Sequence, residues 1–199
     1  TDIIISGLKR KNEFTNQIIF DIKPINCLWS EFKYTSTQFK LFRKAFLNDN
    51  KIRYSSYKIG EDIYFCLSCY SKTEKIKIVP KSKYINYYND DSVTTTMNYN
   101  GKKYDILYIL EEIDKNLNLN KYPKEMVNYF YIKTIVQNII MQLDGINLNE
   151  LNELYLKNYK WLKNKYKVKL HWQKGEIFSI NLLVNIFIFF TKIDIYSIT

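Results

Sequence analysis

The chain has 199 residues, 46% of them hydrophobic and 25% charged, enough to bury a core and too apolar for wholesale disorder. Lysine and arginine outnumber aspartate and glutamate 30 to 20, a formal charge of +10, which directs attention to polyanionic partners. Three cysteines, an odd number, argue against a disulfide scaffold.

The charge has to be discounted before it is used. There is one alanine (Ala45), and arginine occurs only at Arg10, Arg43 and Arg53, while Lys, Asn, Ile and Tyr abound. A+T-rich codons encode that second set, so a gene under A+T pressure accumulates lysine whether or not its charge is used. Scattered lysines therefore carry no functional signal, and clustered ones do. No Asn-x-Ser/Thr acceptor occurs, and the opening TDIIISGLKRK lacks the order of a secretory signal. An intracellular location (cytoplasm, organelle or host cell) is expected.

In chain order, residues 2–6 read as a short buried strand ended by Gly7, followed by a basic turn at Lys9, Arg10 and Lys11. Residues 17–23 read as a second strand stopped at Pro24. Residues 25–34, with Cys27, Trp29 and Phe32, read as a loop or edge segment. Phe39, Phe42 and Phe46 recur at i, i+3 and i+7 behind the capping candidates Thr35, Ser36 and Thr37, which predicts a helix. Residues 51–79 read as a β meander: Ile52, Tyr54 and Tyr57, then a turn at Gly60, then the buried-strand candidate 63–70, then the alternating Lys75-Ile76-Lys77-Ile78 ended by Pro80. Residues 81–103 are polar and read as a long surface loop, with a short strand suggested at 93–97.

The second half changes period. Ile106, Ile109, Leu110, Ile113 and Leu117 form one helical stripe. Pro123 opens a second helix, apolar around much of its girth and closed by Gly145. Asn147 with Glu150 three residues later is a capping-box signature for a third helix, from 148 to about 166, with Leu151, Leu154, Tyr155 and Leu162 inward. Alternation then returns, placing Val168, Leu170 and Trp172 on one face and Lys167, Lys169 and His171 on the other. Lys174-Gly175 is a turn from which residues 176–180 pair back as a hairpin. The apolar tail, 177–190, is interrupted by Asn181 and Asn185 and falls short of the ~20 residues of a membrane span, so it reads as buried and a membrane role as unlikely.

The sum is an α+β fold: a β-rich N-terminal half (an antiparallel meander with one helix) packed with a helical C-terminal half that ends in a short hairpin and a buried apolar segment. It reads as a single domain over 1–199, with possible sub-lobes 1–100 and 101–199. Residues 2–5, 22–24 and 29–31 resemble the poxvirus host-range β-sandwich family over a small part of the chain. That resemblance implies a sandwich, against which the helical second half speaks, and no residue role follows from it.

Four constellations bear on chemistry. Cys66-Leu67-Ser68-Cys69 is a C-x-x-C, but on a strand its thiols point to opposite faces, and zinc would need Cys27 and His171 as further ligands. Buried free thiols are the simpler reading, and neither metal nor cofactor is expected. His171, the single histidine, could act as general base with Glu176 as its carboxylate and Lys169 stabilising phosphorane-like charge, as in a small metal-independent ribonuclease. No Gly-rich phosphate loop, Walker A sequence or nucleophile elbow occurs. The fourth, residues 155–175, holds seven lysines and five aromatics without one acid. Lys157, Lys160, Lys163, Lys167, Lys169 and Lys174 could neutralise phosphates while Trp172 stacks on a base; Lys72 to Lys83 could add a second basic edge. The bland alternative is that the aromatics are core and the lysines a solvated face. RNA binding is the leading expectation, and a protein-interaction module of the viral or parasite effector kind is the alternative.

Overall fold

The change of period holds in the structure, a computed structural model that describes residues 1–56, 60–88, 106–143, 147–165 and 169–193. Among these, a four-stranded sheet and three helices precede residue 89, and four helices follow residue 105. The chain divides into two units, Thr1–Ser92 with Glu112–Asn118 and Val93–Glu111 with Leu119–Thr199.

In the first unit, β1 (Ile3–Asn12) is paired on both edges along most of its length. β2 (Ile18–Ile22) and β3 (Lys40–Phe42) run antiparallel to it, the first against Leu8–Lys11 and the second against Ile3–Ile5. β4 (Ile76–Tyr88) runs parallel to it from Ile3 to Asn12. The sheet is therefore mixed, neither the expected meander nor a sandwich. Ile3 and Ile5 are fully buried, each contributing about 1.5–3 kcal/mol of burial.

Gly7 does not end β1. A side chain there would collide with the Ile22 carbonyl oxygen and the Ser82 backbone, so glycine is what lets β2 and β4 close on the strand. The β1–β4 register shifts on both sides of Gly7, and the resulting bulge accommodates Pro80 inside β4, where its missing N–H costs no ladder bond. Hence β4 continues to Tyr88, where a loop is expected from 81. The expected strand at 93–97 lies outside the described residues, as does Tyr57. The expected basic turn is strand too; the chain reverses at 12–17, with Asn16 left-handed (φ 57°) and the Asn12 side chain accepting the Phe14 and Thr15 N–H groups.

Several short elements depart from the sequence reading. Residues 25–34 contain helix α1 (Trp29–Lys33), whose Trp29 and Phe32 stack in the core. The helix expected across Phe39, Phe42 and Phe46 is split into β3 and α2 (Lys44–Asp49). Phe39 and Phe46 are buried as expected, but β1 draws Lys40–Phe42 into the sheet, and Arg43 pairs with Asp2 at 2.7 Å. The hydrogen bond from Thr73, then Arg43, holds the Asp2 carboxyl below the usual range. Thr37 caps no helix of its own; its hydroxyl donates to Asp62 at 2.7 Å.

The largest correction is α3 (Glu61–Lys72), which occupies the strand candidate 63–70. Phe65 to Tyr70 are all buried, so no amphipathic period shows, and a run buried on every side cannot be assigned by period alone. The deciding signals lie at its ends: left-handed Gly60 before it, Glu61 and Asp62 in the first turn, Lys72 in the last.

In the C-terminal half, α4 (Leu107–Asn116) buries Ile109, Leu110 and Ile113 as expected. α5 (Lys124–Gln142) follows Pro123 and is buried continuously from Tyr129 to Val136. It packs against α6 (Leu148–Lys165) and α7 (Phe178–Ile193). The capping box is formed: Glu150 N–H donates to Asn147 Oδ1 at 3.0 Å and Asn147 N–H to Glu150 Oε2 at 3.1 Å. Gly145 lies outside the described residues.

Candidate functional site

The stretch before α7 forms no hairpin, for residues 169–177 contain no strand and residue 178 begins a helix. The backbone there is extended and held by two side-chain amides. Asn181 accepts the Gln173 N–H at 2.9 Å and donates to the Gln173 carbonyl at 3.1 Å. Asn185 does the same for His171, accepting its N–H at 3.0 Å and donating to its carbonyl at 2.8 Å. One amide thus satisfies the donor and acceptor that a neighbouring strand would take. The spacing fits because four residues of helix rise about 6 Å and two of extended chain about 6.6 Å.

This clamp decides which side chains of the segment are covered. His171 is half-buried and Gln173 buried, while Leu170 and Trp172 are 56% and 53% exposed. The His171 ring packs edge-on to Tyr129 (5.6 Å between centroids), and its Nε2 lies 3.1 Å from Gln173 Oε1. The Tyr129 hydroxyl donates to Asn181 at 2.8 Å, and burial, then the Glu176 charge, push its pKa upward. Glu176, with its side chain 1% exposed, meets Lys133 of α5 at 2.6 Å. None of these contacts joins the imidazole to Glu176 or to Lys169, which is exposed.

The other lysines divide as a solvated face does. Lys157, Lys160 and Lys163 are exposed along α6, and Lys174 is exposed after the clamp; Lys167 and Tyr166 lie outside the described residues. Tyr159 and Trp161 are buried, and Tyr155 packs on Tyr159 and Phe187. These aromatics pack inward, leaving Trp172 as the exposed ring among the described residues of the run, in contact with Phe178 at 5.3 Å.

Cys66 and Cys69, one helical turn apart in α3, are both buried. Burial pushes their thiols up to about 11 and about 12, opposite to what a redox or metal-ligating pair requires. Among the described residues no group of three or more His, Cys, Asp or Glu side chains could hold a metal ion.

Sequence reasoning missed the outward face of α7. Inward it presents Asn181, Val184, Asn185 and Ile188; outward it presents Phe178, Leu182, Leu183, Ile186, Phe189 and Phe190, Phe178 being 70% exposed. The two asparagines, four apart, were the available signal: within an apolar run they mark a face that bonds to something, and the clamp shows that face to be the inner one. No described helix is long and apolar enough to cross a membrane. No protein-family model matches the chain, and no curated protein matches it significantly.

Proposed function

We propose that the protein is a non-enzymatic interaction module that captures a partner protein on the outward face of α7. The polarity of that helix carries the reading: its amides face inward and its large apolar side chains face water. Fully burying one such side chain is worth about 1.5–3 kcal/mol, a gain six residues of α7 obtain only against another surface. Charge narrows the partner. Between residues 167 and 193 the only acid is Glu176, which is buried on Lys133, while Lys169 and Lys174 are exposed. An apolar strip edged by positive charge fits an amphipathic helix with acidic flanks, whereas a second copy would bring like charges to the rim. An acidic amphipathic peptide of about 18 residues, about 27 Å as a helix, is expected to bind in isothermal titration calorimetry. Leu182→Glu with Ile186→Glu abolishes binding without lowering the melting midpoint. Absence of peptide binding, a concentration-dependent dimer in sedimentation equilibrium, or uptake on lipid vesicles alone would each overturn the proposal.

A separate observation favours a second reading, RNA binding. Lys157, Lys160 and Lys163 are exposed at i, i+3 and i+6, one row along α6. Lys160→Glu with Lys163→Glu should abolish binding of a single-stranded RNA, and log K should fall with log salt by about 0.7 per phosphate neutralised. A flat salt response rejects this reading. RNA cleavage in EDTA that His171→Ala removes would replace binding with catalysis.

A further inference from the structure

Only three of the thirty basic residues are arginines. Where codon pressure favours lysine, the arginines that remain are the places to ask what a planar guanidinium does that an ammonium cannot. Two answer at once. Arg43 grips Asp2 through Nε (2.9 Å) and Nη2 (2.7 Å). Arg53 donates to the Ile52 carbonyl at 2.7 Å and to Asn48 Oδ1 at 3.2 Å.

Arg10 is built differently. Its guanidinium carbon lies 5.6 Å from the Phe20 ring and 5.3 Å from the Tyr88 ring. Its Nε donates to Asn86 Oδ1 at 3.4 Å, and Asn86 in turn donates to Gln38 Oε1 at 3.3 Å. Among the described residues no carboxylate pairs with Arg10, and its two terminal nitrogens make no hydrogen bond. Two rings and an amide relay thus fix a guanidinium whose two terminal NH2 groups are left over. The register explains the assembly: Leu8, Arg10 and Asn12 share a sheet face with Phe20 and Ile22 of β2 and with Tyr84, Asn86 and Tyr88 of β4. Phe20 and Tyr84 are exposed beside it.

We infer that Arg10 is an anion-binding residue that takes a backbone phosphate of a single-stranded nucleic acid, whose bases stack on Phe20 and Tyr84. A fixed fork matches two phosphate oxygens with little further loss of side-chain freedom. The surrounding charge favours a chain of phosphates over an isolated anion. Lys81 and Lys83 are exposed within β4 and Lys23 is exposed just past β2, whereas Lys9, Lys11 and Asp21 alternate onto the sheet face opposite Arg10, where Asp21 is occupied by Ser82, Lys9 and Lys23. Exposed rings beside a phosphate fork are what sequence-tolerant single-strand binding uses. The site lies in the first unit and depends on neither α7 nor the α6 lysine row.

The test is fluorescence anisotropy of a labelled 12-residue oligouridylate with wild-type protein and four variants. Arg10→Lys keeps the charge and loses the fork, and should raise Kd about tenfold. Arg10→Ala should do at least as much. Tyr84→Ala, at an exposed position that should leave folding intact, should raise Kd about fivefold or more. Circular dichroism and melting midpoints are read alongside. Four results would overturn the inference: no binding by the wild type, Arg10→Lys and Tyr84→Ala both binding like the wild type, uridine monophosphate competing as well as the oligomer, or binding lost in the fourth variant, Lys160→Glu with Lys163→Glu, while Arg10→Lys keeps it.

Discussion

Lys133 and Glu176 form a buried ion pair between helix α5 and the turn before α7. Removing one charge deprives the other, buried, of its counter-charge at 2.6 Å, so Lys133→Met or Glu176→Gln is expected to cost about 3–5 kcal/mol in urea unfolding. Replacing both with apolar residues should recover most of the loss. The cysteines give a second expectation at this scale. Below pH 9 the Cys66 and Cys69 thiols are neutral in both folded and unfolded chains. Above it the unfolded thiols ionise while the folded ones stay protonated to about 11 and about 12. Stability should therefore be level up to pH 9 and decline above it, and Cys66→Ala with Cys69→Ala should flatten that decline. A thiol reagent at neutral pH should label Cys27, which is half-buried, before either of these buried thiols. The sequence offered Glu176 as a partner for His171 because the two are close along the chain. Lys133 is remote in sequence, and only packing made it the nearer charge.

Elements were legible in proportion to the signal at their ends. The capping box at Asn147 and Glu150 was readable because both halves of the interaction lie within one turn. α3 was misread because its middle is buried all round, although its acidic start and basic end were present. The alternation at 167–172 left open which face packs inward, since an alternating pattern does not say which face another element will take; at His171 and Gln173 the asparagines of α7 decided it. The clamps that decided it can be tested. Asn181→Ala removes the side chain that bonds the buried Gln173 N–H and carbonyl and accepts from the Tyr129 hydroxyl, and should cost about 2–3 kcal/mol. Asn185→Ala, half-buried, should cost about 1 kcal/mol. Hydrogen exchange should find the His171 and Gln173 amides protected, although they belong to no strand. In β1, Gly7→Ala should destabilise by about 1–3 kcal/mol, because backbone rather than a movable side chain stands in the way.

For the whole molecule the question is whether a charge of +10 is arranged or merely accumulated. Two triple variants of equal net charge separate the cases. Reversing Lys157, Lys160 and Lys163, one row on α6, should lower the salt needed for elution from heparin more than reversing Lys44, Lys51 and Lys115, which are exposed on α2, in the turn after it and on α4. Equal shifts would mean that arrangement contributes nothing. The sequence by itself determined the fold class, through the change from strand period to helix period near residue 100, and most of the C-terminal helices, through local spacing and caps. Only the tertiary structure decided which strand β1 pairs with in parallel, which faces of residues 169–173 and α7 meet water, and where Arg10 finds its rings. The reason is the same in each case: periodicity and capping are local interactions written within a few residues, whereas pairing and exposure depend on groups the chain brings together from far apart.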